Sequence, residues 1–274
     1  MTMSTVTSAD GTTIDFDAYG EGRPLILIDG ATAHRAVNPL NGEVGELLTD
    51  SFRTYAYDRR GRGASTDTAP YAIQREIEDL AALIETASVE SGGQPAILFG
   101  WSSGCLLALD AAAAGLPVAG LVLFEPPVVV DDVRPPLPSD YVEQLDAFVA
   151  EGRRDKAAEL FMTAAAMMPA EAIPGMKQSP YWAPVEEVAH TIAYDGRIMG
   201  TTMSGNPLPA DRWADVKVPV LVLYGDKTWP ALSAGATAVA EHLPTATLRA
   251  IPGENHGTEA ATLAPVLREF ADLT

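Results

Sequence analysis

Residues 95–104 read PAILFGWSSG, and this stretch decides the fold. The apolar run Pro95–Phe99 predicts a buried strand, and the Ala- and Leu-rich segment Ser103–Ala114 predicts a helix. The residues between them fit the pattern G-x-S-x-G, which in a strand–turn–helix context holds a nucleophilic serine on a sharp turn. The sequence therefore predicts Ser102 as a nucleophile at a helix N-terminus, where the free backbone N–H of Ser103 lies beside it.

Apolar runs of strand length recur along the chain and alternate with segments of helix length. Runs rich in Val, Ile and Leu are typical of strands that are buried on both faces. The further predicted strands are Ile14–Tyr19, Pro24–Ile28, Phe52–Tyr57, Leu121–Phe124, Val218–Tyr224 and Thr247–Ile251. The further predicted core helices are Ala72–Val89, Ala231–His242 and Thr258–Leu273. This alternation predicts an α/β fold with a mainly parallel sheet, which binds ligands at the carboxyl ends of its strands.

Residues 130–212 break this rhythm because they contain no convincing buried strand. We expect a helical lid there, inserted into a core formed by residues 1–129 and 213–274, with helices at about Ser139–Glu151, Asp155–Met168 and Pro184–Met203. Six of the eight methionines lie in this insertion. Methionine adapts to irregular surfaces, so the pattern favours a lid that lines an apolar pocket, although an ordinary helix core is the alternative.

Composition limits the possible partners of the chain. The 274 residues include 18 Lys and Arg against 37 Asp and Glu, which gives a formal charge of −19. Such a charge repels nucleic acid and anionic lipid. The single cysteine, Cys105, excludes an internal disulfide. With no signal-peptide pattern and no metal-ligand spacing among the histidines, we expect a cytoplasmic monomer or homodimer that acts on a small molecule without a cofactor.

A serine hydroxyl needs a base that takes its proton. His256 follows the predicted strand Thr247–Ile251, so it lies at the strand end that also carries Ser102. It comes after the serine in the chain, as in the order Ser…Asp/Glu…His. His34 follows the strand Pro24–Ile28 and either touches the substrate or is a solvated loop residue.

In these features the chain resembles the α/β-hydrolase family over nearly its whole length. The resemblance rests on four stretches: LIDG at residues 27–30, YDRRGRGAS at residues 57–65, the serine turn, and NHG at residues 255–257. It implies an eight-stranded, mostly parallel sheet flanked by helices, with a helical lid. It also implies that the N–H groups of Ala31 and Ser103 form an oxyanion hole. We expect Gly30, His34, Trp101 and Trp182 to bind the substrate.

The acid that orients the histidine has two candidates. Many members of the family place it three residues after the glycine that here is Gly225, but that position is Thr228. Glu125 ends the strand Leu121–Phe124, which should lie about 5 Å from the serine strand. Some branches of the family, including the haloalkane dehalogenases, place the acid there. The sequence favours Glu125, and Asp226 is the alternative.

Asp29-Gly30 stands where the family usually has His-Gly. This departure, the adjacent serines and Glu125 are similar to the zearalenone lactonase branch. We expect a serine hydrolase that cleaves an ester or lactone of a medium-sized, uncharged substrate through an acyl-enzyme. Alternatives are a C–C bond hydrolase, a thioesterase, a cofactor-free peroxidase-like hydrolase, or a ligand receptor with this fold. Epoxide hydrolase and dehalogenase branches are disfavoured because they have an aspartate at the position of Ser102.

Overall fold

The computed structural model describes residues 2–274, which fold around one eight-stranded sheet. The strands are β1 (Thr2–Thr7), β2 (Thr13–Tyr19), β3 (Arg23–Ile28), β4 (Phe52–Tyr57), β5 (Ala96–Trp101), β6 (Val118–Phe124), β7 (Val220–Lys227) and β8 (Ala246–Glu254). Their order in the sheet is β1-β2-β4-β3-β5-β6-β7-β8. Strand β2 is antiparallel to both of its neighbours, and all other pairs are parallel. The predicted α/β fold with a mostly parallel, eight-stranded sheet is therefore confirmed.

Helices cover both faces of the sheet. They are α1 (Leu40–Leu47), α2 (Ile73–Glu90), α3 (Ser103–Ala113), α4 (Tyr141–Ala150), α5 (Arg154–Leu160), α6 (Ile173–Met176), α7 (Trp182–Glu187), α8 (Ile192–Met199), α9 (Pro230–His242) and α10 (Ala260–Ala271). Alternate residues of a strand point to opposite faces. In β3, Ile26 and Ile28 join the core formed with α2 and α3, while Leu25 and Leu27 join the core formed with α1 and α10. Within residues 2–274, no helix has the length and apolar character needed to cross a membrane.

All helices from α4 to α8 fall within residues 130–212, and in the described chain no strand lies between Phe124 and Val220. Two of the expected helices are shorter than the sequence suggests. The second ends as a π-helical turn at Phe161–Ala165. The third is divided by a 3₁₀ turn at Ala189–Thr191, where the Thr191 hydroxyl donates to the carbonyl of Val188 (2.8 Å) and competes with regular helix bonding.

Three arginines of the loop after β4 are buried in the protein interior. Arg59, Arg60 and Arg62 are each about 1% exposed. Arg59 makes a bidentate pair with Glu76 of α2, at 2.7 and 2.8 Å. Buried charges persist only when they are paired and hydrogen-bonded. Their partners therefore hold this loop against the helices that pack on it.

Asp195 of α8 joins the insertion to these arginines. One of its carboxylate oxygens accepts a hydrogen bond from Arg59 (2.6 Å), and the other accepts one from Arg62. Burial alone would raise the pKa of Asp195, but the charges of Arg59 and Arg62 hold it below the ordinary value. The carboxylate is consequently ionised and fixes α8 to the core.

Replacing this carboxylate should destabilise the whole domain. We expect Asp195→Ala to lower the free energy of unfolding by about 3–5 kcal/mol, because it leaves buried guanidinium groups without their partner. Urea unfolding followed by circular dichroism measures the loss. The matched control is Asp146→Ala, since Asp146 pairs with Arg197 of α8 but is 48% exposed, and its loss should stay within about 1 kcal/mol. Equal losses in the two variants would contradict the role assigned to Asp195.

Candidate active site

Ser102 lies on a sharp turn between β5 and α3. Its backbone has φ 54° and ψ −127°, a strained conformation for a residue with a side chain. Three close approaches make this turn possible. A Cβ on Gly104 would lie 2.3 Å from the carbonyl oxygen of Ile28. A Cβ on Gly100 would lie 2.6 Å from the carbonyl oxygen of Gly104. A Cβ on Gly30 would lie 2.8 Å from Cβ of Ser102. Only glycine fits at these three positions, so the end of β3 packs directly against the serine turn.

His256 is presented by a two-residue turn just beyond β8. Glu254 and Gly257 exchange two backbone hydrogen bonds, at 3.0 and 2.9 Å. Asn255 and His256 between them have φ values of 51° and 64°. Positive φ at both central residues is what a type I′ hairpin turn requires, and asparagine tolerates it well. The imidazole is therefore positioned by a tight turn and not by a long loop.

Glu125 follows β6 directly and is fully buried. Its Oε2 lies 2.5 Å from Nδ1 of His256, and its Oε1 accepts the backbone N–H of Gly225 (2.9 Å). Asp226, the alternative acid, instead accepts the N–H of Gly253 (3.2 Å) and is exposed. The structure thus brings Glu125, and not Asp226, to the histidine. A carboxylate at this place fixes the tautomer that leaves Nε2 free to accept a proton.

Ser102 and His256 line the same cavity, whose volume is about 370 Å³. The loop after β3 contributes residues 29–33 to its wall, and the insertion contributes Phe161, Tyr181, Pro184 and Val185. The cavity therefore combines a hydroxyl group, an imidazole and a largely apolar wall.

Two of the predicted substrate contacts lie in the cavity wall and two do not. Gly30 and Trp101 line the cavity. His34 does not line the cavity; it is buried, and burial lowers its pKa. Trp182 is also buried, and its indole N–H donates to Glu186 (2.7 Å), while the preceding Tyr181 faces the cavity. His34 and Trp182 are therefore not wall residues of this cavity.

The methionines of the insertion do not line the cavity either. Met162, Met199 and Met203 are buried in the core, as the alternative interpretation proposed. The apolar wall comes instead from residues such as Phe161, which opens the π-helical turn. Single π-helical turns are frequent at functional sites because they displace a side chain from the regular helical position.

The predicted oxyanion donors, Ala31 and Ser103, lie on the loop after β3 and at the start of α3. Ala31 lies in the cavity wall, and Ser103 is the first residue of α3, so its N–H has no partner within the helix. The hydroxyl of Ser103 donates to Asp195 (2.7 Å), and Arg62 donates to the carbonyl of Gly30 (2.7 Å). The buried charge network therefore holds the backbone on both sides of the serine. Sequence reasoning missed Asp195; its only signal is that buried arginines require a carboxylate partner.

Trp101 and Cys105 flank the serine turn in different ways. The ring of Trp101 meets that of His256 edge-on, with 6.2 Å between the ring centres, so it restricts the imidazole from the side. Cys105 is fully buried, and its thiol donates to the carbonyl of Gly100 (3.0 Å). Burial raises the pKa of the Cys105 thiol well above its ordinary value, so this group packs in the core as a neutral thiol.

Comparison with known proteins identifies the family of this chain. The sequence model of the alpha/beta hydrolase family matches residues 29–269, and the chain belongs to that family. The chain is 30% identical to 2-(acetamidomethylene)succinate hydrolase of Mesorhizobium japonicum over 254 residues, which are 89% of this chain and 85% of that protein.

Solved structures show the same relationship. The chain is similar to an alpha/beta hydrolase from Sphaerobacter thermophilus, with 43% identity, a TM-score of 0.86, and coverage of 98% of this chain and 100% of that one. It also resembles the enol-lactonase from Burkholderia xenovorans, with a TM-score of 0.70 and coverage of 98% of this chain and 100% of that one. At 18% identity, this second likeness shows the fold alone.

The contact between Glu125 and His256 has a spectroscopic consequence. We expect neutral His256 to carry its proton on Nδ1, because the carboxylate of Glu125 accepts it there. Glu125→Gln should move the proton to Nε2, since an amide can donate to Nδ1, while Asp226→Asn should change nothing. Two-bond ¹H–¹⁵N spectra of the histidine ring report the tautomer. A wild-type ring protonated on Nε2 would contradict the assignment.

Proposed function

We propose that this protein is a serine hydrolase that cleaves a carboxylic ester or lactone of a medium-sized, uncharged substrate. The observation that carries the proposal is the arrangement of Ser102, His256 and Glu125. A hydroxyl open to a cavity shares that cavity with an imidazole whose Nδ1 is held by a buried carboxylate. This is the arrangement that nucleophilic acyl transfer requires.

The residues divide the reaction into two steps. Nε2 of His256 takes the proton from Ser102 as Oγ attacks the carbonyl carbon, and the N–H groups of Ala31 and Ser103 stabilise the resulting oxyanion. The intermediate then expels the alcohol, which receives its proton from His256, and an acyl-enzyme remains. Water attacks this ester with His256 again as the base, and the acid product leaves with Ser102 restored.

Cavity size and charge support the substrate class. A volume of about 370 Å³ lies within the range for small-molecule sites. Among the residues that line it there is no lysine or arginine, while Asp29 contributes a carboxyl group. The relative from Mesorhizobium is named for a succinate derivative, but this cavity presents no cationic side chain to pair with a dicarboxylate. An uncharged substrate fits this wall best.

Hydrolysis of a carbon–nitrogen acyl bond is the second candidate. It is favoured by the relatives named 2-(acetamidomethylene)succinate hydrolase and N-formylmaleamate deformylase. The same nucleophile and base serve both reactions, and His256 would protonate an amine instead of an alcohol as the leaving group. Pairs of esters and amides with a common acyl group separate the two candidates, and thioesters and ketones in the same panel examine the remaining hydrolase alternatives.

A fluorophosphonate probe examines the nucleophile directly. We expect the wild-type protein to be labelled on Ser102 and Ser102→Ala to remain unlabelled, as judged by intact-protein mass spectrometry. Ser103→Ala is the matched control and should still be labelled, because the hydroxyl of Ser103 donates to Asp195 and is not the reacting group. Labelling that survives in Ser102→Ala would remove the basis for a serine hydrolase. Labelling without turnover of any substrate would favour the receptor alternative.

Kinetics on a p-nitrophenyl ester distinguish the two candidate acids. We expect Glu125→Gln to lower kcat by about 10⁴-fold, because the amide stabilises the wrong histidine tautomer. Asp226→Asn should retain kcat within a few-fold, since its exposed carboxylate accepts a hydrogen bond from the backbone N–H of Gly253 and not from His256. The opposite ranking of the two variants would make Asp226 the acid.

A further inference from the structure

Asp29 is a buried carboxyl group next to the proposed nucleophile. It follows β3 directly, is 1% exposed and forms part of the cavity wall. The next residue, Gly30, is packed against Ser102. Consecutive Cα atoms are about 3.8 Å apart, so Asp29 belongs to the immediate surroundings of the attacked carbonyl.

In the described part of the chain, one oxygen of this carboxyl group has a hydrogen-bond partner and the other has none. Oδ1 accepts a hydrogen bond from the side-chain amide of Asn38 (2.7 Å), and within residues 2–274 Oδ2 has no hydrogen-bond partner. The amide of Asn38 is itself oriented, because its oxygen accepts the N–H of Leu40 (3.4 Å). Asn38 therefore presents its NH₂ to Asp29, and the second carboxyl oxygen is left over.

Within residues 2–274, the carboxyl group of Asp29 forms no ion pair with the neighbouring arginines. Arg59 and Arg62 direct their N–H groups to Asp195 and to other acceptors, and Arg59 reaches only the backbone carbonyl of Asp29 (3.2 Å). Burial raises the pKa of Asp29 to about 6, although the hydrogen bond from Asn38 and the two arginines act against this. A buried polar atom without a partner costs stability, so such an atom in a cavity wall calls for an explanation.

We propose that Oδ2 of Asp29 accepts a hydrogen bond from a hydroxyl or amide N–H group that the substrate carries close to the carbonyl attacked by Ser102. This inference rests on the proposed function and narrows its substrate class. The insertion contributes mostly apolar residues to the wall, so an acceptor on the loop after β3 orients the substrate. Asp29 lines the cavity and its side chain is almost completely buried, so we assign a group of the bound substrate, and not bulk solvent, as the partner of this oxygen.

A matched series of esters tests the inference. The series consists of p-nitrophenyl esters of butanoic acid, its 2- and 3-hydroxy derivatives, their methyl ethers, and its 2- and 3-acetamido derivatives. Near pH 8 a carboxyl group with a pKa of about 6 is ionised and only accepts hydrogen bonds. We expect a hydroxy or acetamido ester to exceed the plain ester about 10- to 100-fold in kcat/KM, as a hydrogen bond to a charged group predicts. The methyl ethers should show no such advantage.

Asp29→Asn keeps nearly the same shape but replaces a hydrogen-bond acceptor by an amide NH₂, which donates. Asn38 still needs an acceptor, so the new amide should turn its oxygen to Asn38 and its NH₂ to the cavity. We expect the kcat/KM ratio of hydroxy ester to methyl ether to fall to about one in this variant, because a hydroxyl and an ether oxygen can both accept a hydrogen bond from the new amide. Asp226→Asn, which changes a carboxylate outside the cavity wall, should keep the wild-type ratio.

The outcomes separate this inference from the function on which it rests. Equal kcat/KM across the series in the wild type overturns the role of Asp29, and so does a preference for the hydroxy ester over its methyl ether that survives in Asp29→Asn. In either case, hydrolysis of the plain ester leaves the proposed function intact. Failure to cleave any ester, together with no labelling of Ser102, overturns both. The comparison of the hydroxy and acetamido esters with the plain ester and the methyl ethers needs only the wild type, so it tests the inference even if Asp29→Asn does not fold. A higher kcat/KM for the hydroxy esters identifies a hydroxyl as the donor, and a higher kcat/KM for the acetamido esters identifies an amide N–H.

Discussion

The buried ion pairs of Arg59 and Arg62 with Asp195 are the constraint on which the rest of this structure depends. These side chains are almost completely buried, so charges that would be costly alone must compensate one another. The same two arginines donate to backbone carbonyls at the end of β3, and Asp195 accepts from the hydroxyl of Ser103. One charged cluster therefore holds the loop before the proposed oxyanion hole, the start of α3 and the last helix of the insertion. Removing one partner is costly because it leaves a buried charge uncompensated, but the intact cluster adds little net stability and mainly fixes the positions of these segments.

The reacting groups themselves are held by the backbone. Ser102, Glu125 and His256 all have positive φ, and each follows the carboxyl end of a strand. Parallel strands bring these ends to one edge of the sheet, where a short turn is enough to aim a side chain. The absence of side chains at Gly30 and Gly104 lets the strand ends approach within van der Waals contact. Precision at this edge arises from strained turns that a large, buried sheet supports.

What the sequence could predict follows from how local each signal is. Glu125 and His256 could be found because each stands within a few residues of an apolar run. The edge strand β1 (Thr2–Thr7) was missed because its threonines and serine give no buried pattern. Asp195 was missed because its partners Arg59 and Arg62 lie more than a hundred positions away. The sequence could not show that Tyr181, and not Trp182, lines the cavity, because neighbouring residues at the start of a short helix point in different directions.

The insertion contacts the core and the cavity through different segments. Its anchor, Asp195, lies on α8, whereas its contributions to the wall, such as Phe161, Tyr181 and Val185, lie on earlier, separate turns and short helices. Substitutions in those earlier segments leave the anchoring charges untouched. Ligand preference can therefore diverge between related proteins, or be redirected by directed evolution, at positions whose change does not disturb the machinery at the edge of the sheet.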